Sequence, residues 1–227
     1  MNGHDPKLHH TLDGTGSPVV FTHGFLNTAD VWVGAVQELQ GAVRSLRWDL
    51  RGHGQSEPAE PGHYGRDYAL ADLQRMIEVA GQPVVLVGHS LGGYLSLAYT
   101  ILHPEAVAGL VLVAGGPGFR NPDSLAQWNT SIEALAAARP DLAPGMEVIS
   151  MHVDAMVLDR LSEITAPAVT VVGERDEQFL ASADVFDKYL DVRKRIVVPG
   201  TGHMVHTKRP EVVADAVRFL VNQIAGQ

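Results

Sequence analysis

Pro83–Gly93, read as Pro-Val-Val-Leu-Val-Gly-His-Ser-Leu-Gly-Gly, constrains this chain more than any other stretch. Val84, Val85, Leu86 and Val87 form a short apolar run, rich in β-branched residues, of the kind that lies buried on both faces of a parallel sheet. The run stops at Gly88. Tyr94–Tyr99 reads as helix, so Gly88-His89-Ser90-Leu91-Gly92 must turn a strand into a helix within a few residues. Such a turn is sharp and strained, and Gly88 and Gly92 flank Ser90 because a side chain at either place would collide with the neighbouring strand or helix. Ser90 is left projecting above the sheet edge. A serine hydroxyl is a weak nucleophile at neutral pH, so if Ser90 reacts, another group must take its proton.

This Gly-x-Ser-x-Gly string is the nucleophile-elbow pattern, and with it the sequence resembles the α/β-hydrolase family. The resemblance implies an α/β fold: a mostly parallel central sheet with helices on both faces and a short helical cap. A decoy stands earlier in the chain. Gly54-Gln55-Ser56 begins in the same way, but Pro58 replaces the second glycine and no apolar strand runs directly into it.

Length and composition bound the alternatives. At 227 residues the chain fits one α/β domain. Its hydrophobic content of 45% and charged content of 19% are ordinary for a soluble protein, and no apolar run approaches the roughly 18 residues of a membrane span. A formal charge of -9, with only 17 Lys and Arg spread thinly, argues against a general nucleic-acid surface. The absence of cysteine excludes disulfides and thiolate nucleophiles. Met1–Lys7 lacks the apolar core of a signal peptide, so a cytoplasmic location is expected. His4, His9 and His10 in this polar segment have no carboxylate at ligand spacing, which favours a solvated tail over a metal site.

Taken in order, Leu8–Leu12 is at most a short edge strand, and Val19–Thr22 is the first central one. Trp32, Val36 and Leu39 fall at helical spacing after the capping candidates Asn27, Thr28 and Asp30. A strand over Val43–Trp48 leads into Asp49–Ser56, and a helix follows with Asp67 as N-cap, Leu70, Leu73 and Ile77 as its buried stripe, and Gly81 at its end. Val107–Val113, Ala168–Val172 and Arg195–Val198 read as further strands, and Pro210–Ile224 as the last helix. This alternation predicts a parallel sheet with right-handed crossovers. The stretch Phe119–Arg160 is patterned as helix: Leu125, Trp128, Ile132 and Leu135 suggest one, and Val148, Met151, Ala155 and Leu158 a second. The resemblance makes residues 119–160 a cap on a core formed by 1–118 and 161–227. Trp128 and the methionines either line a pocket there or dock the helices to the body, and Met204 is a further pocket candidate.

The chemistry is read from strand ends, where functional residues of open parallel sheets gather. Asp176 follows the strand Ala168–Val172 within Gly173-Glu174-Arg175-Asp176, which also resembles the family's Gly-x-x-Asp acid; Glu174 and Asp184 are its rivals. His203 sits in the glycine-rich loop Pro199–His203 after the last strand, with His206 as its rival. The order Ser90, Asp176, His203 is that of the resembled family. By the same resemblance, His23-Gly24 opens an oxyanion loop, and the backbone N–H groups of Phe25 and Leu91 are its two donors. His23, Asp49 and His53 then fall to scaffold roles.

The implied reaction is hydrolysis of a carboxylic ester or thioester of a small molecule through an acyl-enzyme, needing neither metal nor organic cofactor. Two alternatives stay open. The same triad serves C–C bond hydrolysis, perhydrolysis or acyl transfer in related chains, although the C–C hydrolases often carry a tryptophan after the histidine where this chain has Met204. A ligand-binding protein on a hydrolase scaffold is the other. Oligomeric state and substrate identity are left open.

Overall fold

The structure, a computed structural model, describes residues 5–226. His4 lies outside the described residues. Among the described residues seven strands form one sheet: β1 (His10–Asp13), β2 (Pro18–Thr22), β3 (Arg44–Trp48), β4 (Val84–His89), β5 (Val107–Val113), β6 (Ala168–Gly173) and β7 (Val192–Val198), in the spatial order β1-β3-β2-β4-β5-β6-β7. Only β1 runs antiparallel to its neighbour, pairing His10 with Trp48 and Asp13 with Ser45. The chain leaves β2 for β3 on one side and then returns to place β4 on the other. That reversal opens a crevice above the carboxyl ends of β2 and β4, the place where ligands sit in sheets of this kind.

The strands are apolar throughout because both faces are covered. Val84 and Leu86 point into a core that takes in Leu73 and Ile77 of α2 (Arg66–Ala80), Leu95 and Ala98 of α3 (Leu91–Leu102), and Phe186 of α6 (Glu177–Tyr189). Val85 and Val87 point the other way, onto Ala35 and Leu39 of α1 (Val33–Leu39) and Val213, Val217 and Leu220 of α8 (Pro210–Ala225). Alternation along one strand thus fills two cores, which is why β4 shows no polar residue before His89.

Helix ends follow side-chain chemistry. Thr28 caps the 3-10 turn Ala29–Trp32 that leads into α1, and Gln40 closes α1 in the left-handed region at φ 52°. Gly81, at φ 85°, closes α2 as its position predicts, but the N-cap of α2 is Gly65 and Asp67 lies in the first turn. There its carboxylate faces the helix N-terminus without capping it.

Residues 119–160 depart from the helical pattern in their second half. α4 (Pro122–Ala137) is capped by Asn121, whose side chain accepts from the N–H groups of Asp123 and Ser124 at 2.8 and 3.1 Å. The expected second helix is divided into a 3-10 turn, Met146–Ser150, and the short α5 (Met156–Arg160). Between them the backbone is extended because Asn129 of α4 bonds both polar groups of His152: His152 N–H donates to Oδ1 at 2.9 Å, and Nδ2 donates to the His152 carbonyl at 2.8 Å. A side chain 23 residues away in sequence, and not local propensity, decides that stretch.

Candidate active site

Ser90 occupies the turn between β4 and α3 with φ 51° and ψ −113°, a conformation that costs a residue with a side chain about 1–3 kcal/mol. Surrounding contacts impose it. Ser90 N–H donates to the Val113 carbonyl at 3.0 Å, pinning the turn to β5. A Cβ on Gly88 would overlap the Gly92 carbonyl, and one on Gly92 would overlap the Thr22 carbonyl of β2. The two glycines are therefore what lets the helix start directly over the strand.

Asp176 and His203 meet above the ends of β6 and β7. Asp176 precedes α6 but does not cap it with its side chain. Its Oδ2 instead accepts from His203 Nδ1 at 2.8 Å. In the neutral imidazole this bond places the proton on Nδ1 and the lone pair on Nε2. The loop carrying His203 is fastened from below: Arg175 N–H donates to the Thr201 carbonyl at 2.8 Å, and Gly200 N–H donates to Glu174 Oε2 at 2.8 Å. Glu174, a rival for the acid, is thus engaged in holding the loop. Asp184, the other rival, pairs with Arg195 at 2.6 Å. The His203 ring packs against Phe179 and His89, each at 4.7 Å between centroids and tilted by 30° and 49°. Ser90 Oγ makes no hydrogen bond with His203 Nε2 in this structure.

The remaining sequence-predicted residues separate by surroundings. Phe25 and Leu91 N–H, at the ends of β2 and β4, have no hydrogen-bond acceptor among the described residues. His23 is fully buried, with Nδ1 donating to the Gly24 carbonyl at 2.8 Å and Nε2 accepting from Leu50 N–H at 3.0 Å, so both ring nitrogens serve the scaffold. Asp49 accepts from Ala29 N–H at 2.6 Å and Gln55 N–H at 2.9 Å, and the decoy Ser56 donates to the Asp49 carbonyl at 2.6 Å. His206 is fully buried between Trp32 and His89, at 4.8 and 4.0 Å between centroids, with no hydrogen-bond partner for either ring nitrogen.

Ser90 opens into a cleft of about 140 Å³ lined by Leu91, Tyr94, Gly116–Phe119, Trp128, Ile149–His152, Gln178, Phe179 and Ser182. Trp128 both lines this cleft and docks its segment, donating from Nε1 to the Ser150 carbonyl at 2.8 Å. Met204 is not among the lining residues. It stands at the start of α7 (Val205–Lys208), where its carbonyl accepts from Lys208 N–H and Thr207 Oγ1.

Two histidines that the sequence reading left without a role belong to this region. His89, inside the elbow, donates from Nε2 to the His203 carbonyl at 3.1 Å. His152 sets its ring edge against Tyr94 at 4.4 Å and Phe119 at 5.3 Å. Burial holds these imidazoles neutral. Desolvation, aided by neighbouring histidines, lowers His23 and His206 to about 3 and brings His89 well below the ordinary value. Desolvation, with the Arg66 charge second, lowers His152 to about 4.

Comparison with known proteins places this arrangement. A family profile described as alpha/beta hydrolase fold matches residues 17–153, more than half of the chain. A putative 2-succinyl-6-hydroxy-2,4-cyclohexadiene-1-carboxylate synthase of Bacillus subtilis is 24% identical, the match covering 91% of this chain and 90% of that one. A pimeloyl-[acyl-carrier protein] methyl ester esterase of Nitrosomonas europaea is 35% identical over 50% of this chain and 43% of its own length. Among solved structures, a thermophilic esterase from Thermogutta terrifontis superposes with a TM-score of 0.75 at 24% identity, over 96% of this chain and 94% of that one, a likeness of fold. Among the described residues no helix is long and apolar enough to cross a membrane. With the sheet order, the strand-to-helix turn at Ser90 and the family match in agreement, the chain belongs to the α/β-hydrolase fold family.

Proposed function

We propose that the protein hydrolyses carboxylic esters, thioesters included, with Ser90 as nucleophile, His203 as general base and acid, and Asp176 as the group that orients the imidazole. The observation that carries this reading is the 2.8 Å bond from His203 Nδ1 to Asp176, which leaves Nε2 basic in the loop above a serine held in a strained turn at the mouth of a cleft. His203 Nε2 takes the Ser90 proton as Oγ attacks the carbonyl carbon. Oxyanion charge develops against Phe25 N–H and Leu91 N–H, which are free to donate to it. Losing one such donor typically raises the barrier by about 3 kcal/mol. His203 then gives its proton to the leaving alcohol, and a water activated by the same nitrogen cleaves the acyl-enzyme to the acid. In this reading residues 1–118 and 161–227 form the catalytic core, and 119–160 serve as a reduced cap that supplies Trp128 and His152 to the cleft.

The esterases among the similar proteins favour ester cleavage over the other uses of such a triad. The carboxylate-bearing compound in the name of the Bacillus subtilis relative fits this cleft poorly, since no charged side chain lines it. The test is turnover of p-nitrophenyl acetate and butyrate by the wild type and by Ser90→Ala. The expected result is hydrolysis that disappears with the serine, and equal rates in both would reject the reading.

A further inference from the structure

We propose that the cleft beside Ser90 receives an uncharged acyl group about the size of one six-membered ring, so that the preferred substrates are esters of neutral cyclic or arylalkanoic acids. This rests on the ester-hydrolase reading and names the substrate class for that site.

Three observations carry it. The first is charge: none of the fifteen lining residues is Lys, Arg, Asp or Glu. Arg66, beneath Tyr94, is already engaged, with its two terminal nitrogens on the Asp154 carboxylate at 2.6 and 2.9 Å and a further bond to the Tyr94 hydroxyl at 3.2 Å. A carboxylate entering the cleft would shed water and meet no cation in return.

The second observation is size. The cleft holds about 140 Å³. An apolar cavity of about 150 Å³ admits one benzene molecule, so a single ring fills this space, whereas a long acyl chain extends past the open mouth of the cleft into solvent and gains little there.

The third is the shape of the wall. Tyr94, Phe119, Trp128 and the neutral His152 form a continuous set of rings, with His152 edge-on to Tyr94 and Phe119 (89° and 84° between planes) and Phe119 tilted against Trp128 at 5.6 Å. Phe179 extends the wall to His203. Such rings offer faces and edges to a planar or chair-shaped ring. The cleft takes in Ser90 and Leu91 but not His203. The leaving alcohol must collect its proton from His203, so it departs on that histidine's side, and the cleft is left for the acyl group that stays on Ser90.

The experiment compares kcat/KM for p-nitrophenyl acetate, phenylacetate, cyclohexanecarboxylate, decanoate and hemisuccinate, each divided by its hydroxide-catalysed rate constant to remove intrinsic reactivity. The two ring esters are expected to exceed acetate and decanoate by at least about tenfold, and hemisuccinate by at least about 100-fold. Gln178→Arg, at an exposed lining position, is expected to raise hemisuccinate relative to phenylacetate by about tenfold. Trp128→Ala is expected to lower the phenylacetate-to-acetate ratio about fivefold. A Ser90-dependent profile that is flat within about threefold, or that favours decanoate or hemisuccinate, overturns this inference and leaves the ester-hydrolase reading standing. Turnover of no ester in a Ser90-dependent way overturns both.

Discussion

Burying several imidazoles in their neutral form makes the fold sensitive to acid, and His206, which has no partner on either ring nitrogen, offers the cleanest measurement of that effect. It is fully buried between Trp32 and His89, with both ring nitrogens unpaired, and desolvation followed by the proximity of His203 brings its pKa down to about 3. The folded chain therefore refuses a proton that the unfolded chain accepts near pH 6.5. Because the folded value is the lower one, this group's contribution is fully present above about pH 6.5 and is lost as pH falls from there toward about 3. At about pH 5 the gap between that pH and the unfolded value is roughly 1.5 units, or about 2 kcal/mol relative to about pH 7.5. His23, lowered to about 3, and His152, lowered to about 4, act in the same direction over the same range of pH. His206→Leu keeps the volume and removes the titrating group. Urea unfolding, followed by tryptophan fluorescence at about pH 7.5 and about pH 5, should show the variant losing about 2 kcal/mol less than wild type between the two. Equal losses, within about 0.5 kcal/mol, would mean that His206 does not exclude its proton and would refute the reasoning.

Three further outcomes follow from the geometry. Gly92→Ala drives a methyl group into the Thr22 carbonyl of β2, so Tm should fall by at least about 6 °C, and an unchanged melting curve would contradict the packing. Asp176→Asn keeps the shape but presents the wrong partner to His203 Nδ1; p-nitrophenyl acetate turnover should drop by about 10³–10⁴-fold with little change in the urea midpoint, and a loss below about tenfold would remove Asp176 from its role. Asn129→Ala leaves the His152 N–H and carbonyl without their partners, so amide exchange at His152 should quicken by about tenfold or more, whereas unaltered exchange would show that Asn129 does not hold the extended segment.

Much of the fold was legible because its signals are local. Val84–Val87 and Val107–Val113 are apolar on both faces, and the glycines around Ser90 announce a close approach that only a strand-to-helix turn explains. Asp176 and His203 could be chosen by their places at strand ends, and the structure joins the two at 2.8 Å. What escaped depends on contacts between distant segments. Val148, Met151, Ala155 and Leu158 keep helical spacing, yet Asn129 holds the middle of that stretch extended. Met204 follows His203 in sequence, but the backbone turns there into α7, and Met204 is not among the residues that line the cleft beside Ser90. His89 and His152 form no periodic pattern; their positions beside His203 and in the ring-lined wall come from packing alone.

The most direct measurement of the central claim is intact-mass and peptide mapping after treatment with a fluorophosphonate, on the wild type, Ser90→Ala and His203→Ala. Activation of one hydroxyl by the neighbouring imidazole predicts a single adduct on Ser90 of the wild type and none on either variant. Labelling at another residue, or equal labelling of Ser90 when His203 is gone, would contradict the account.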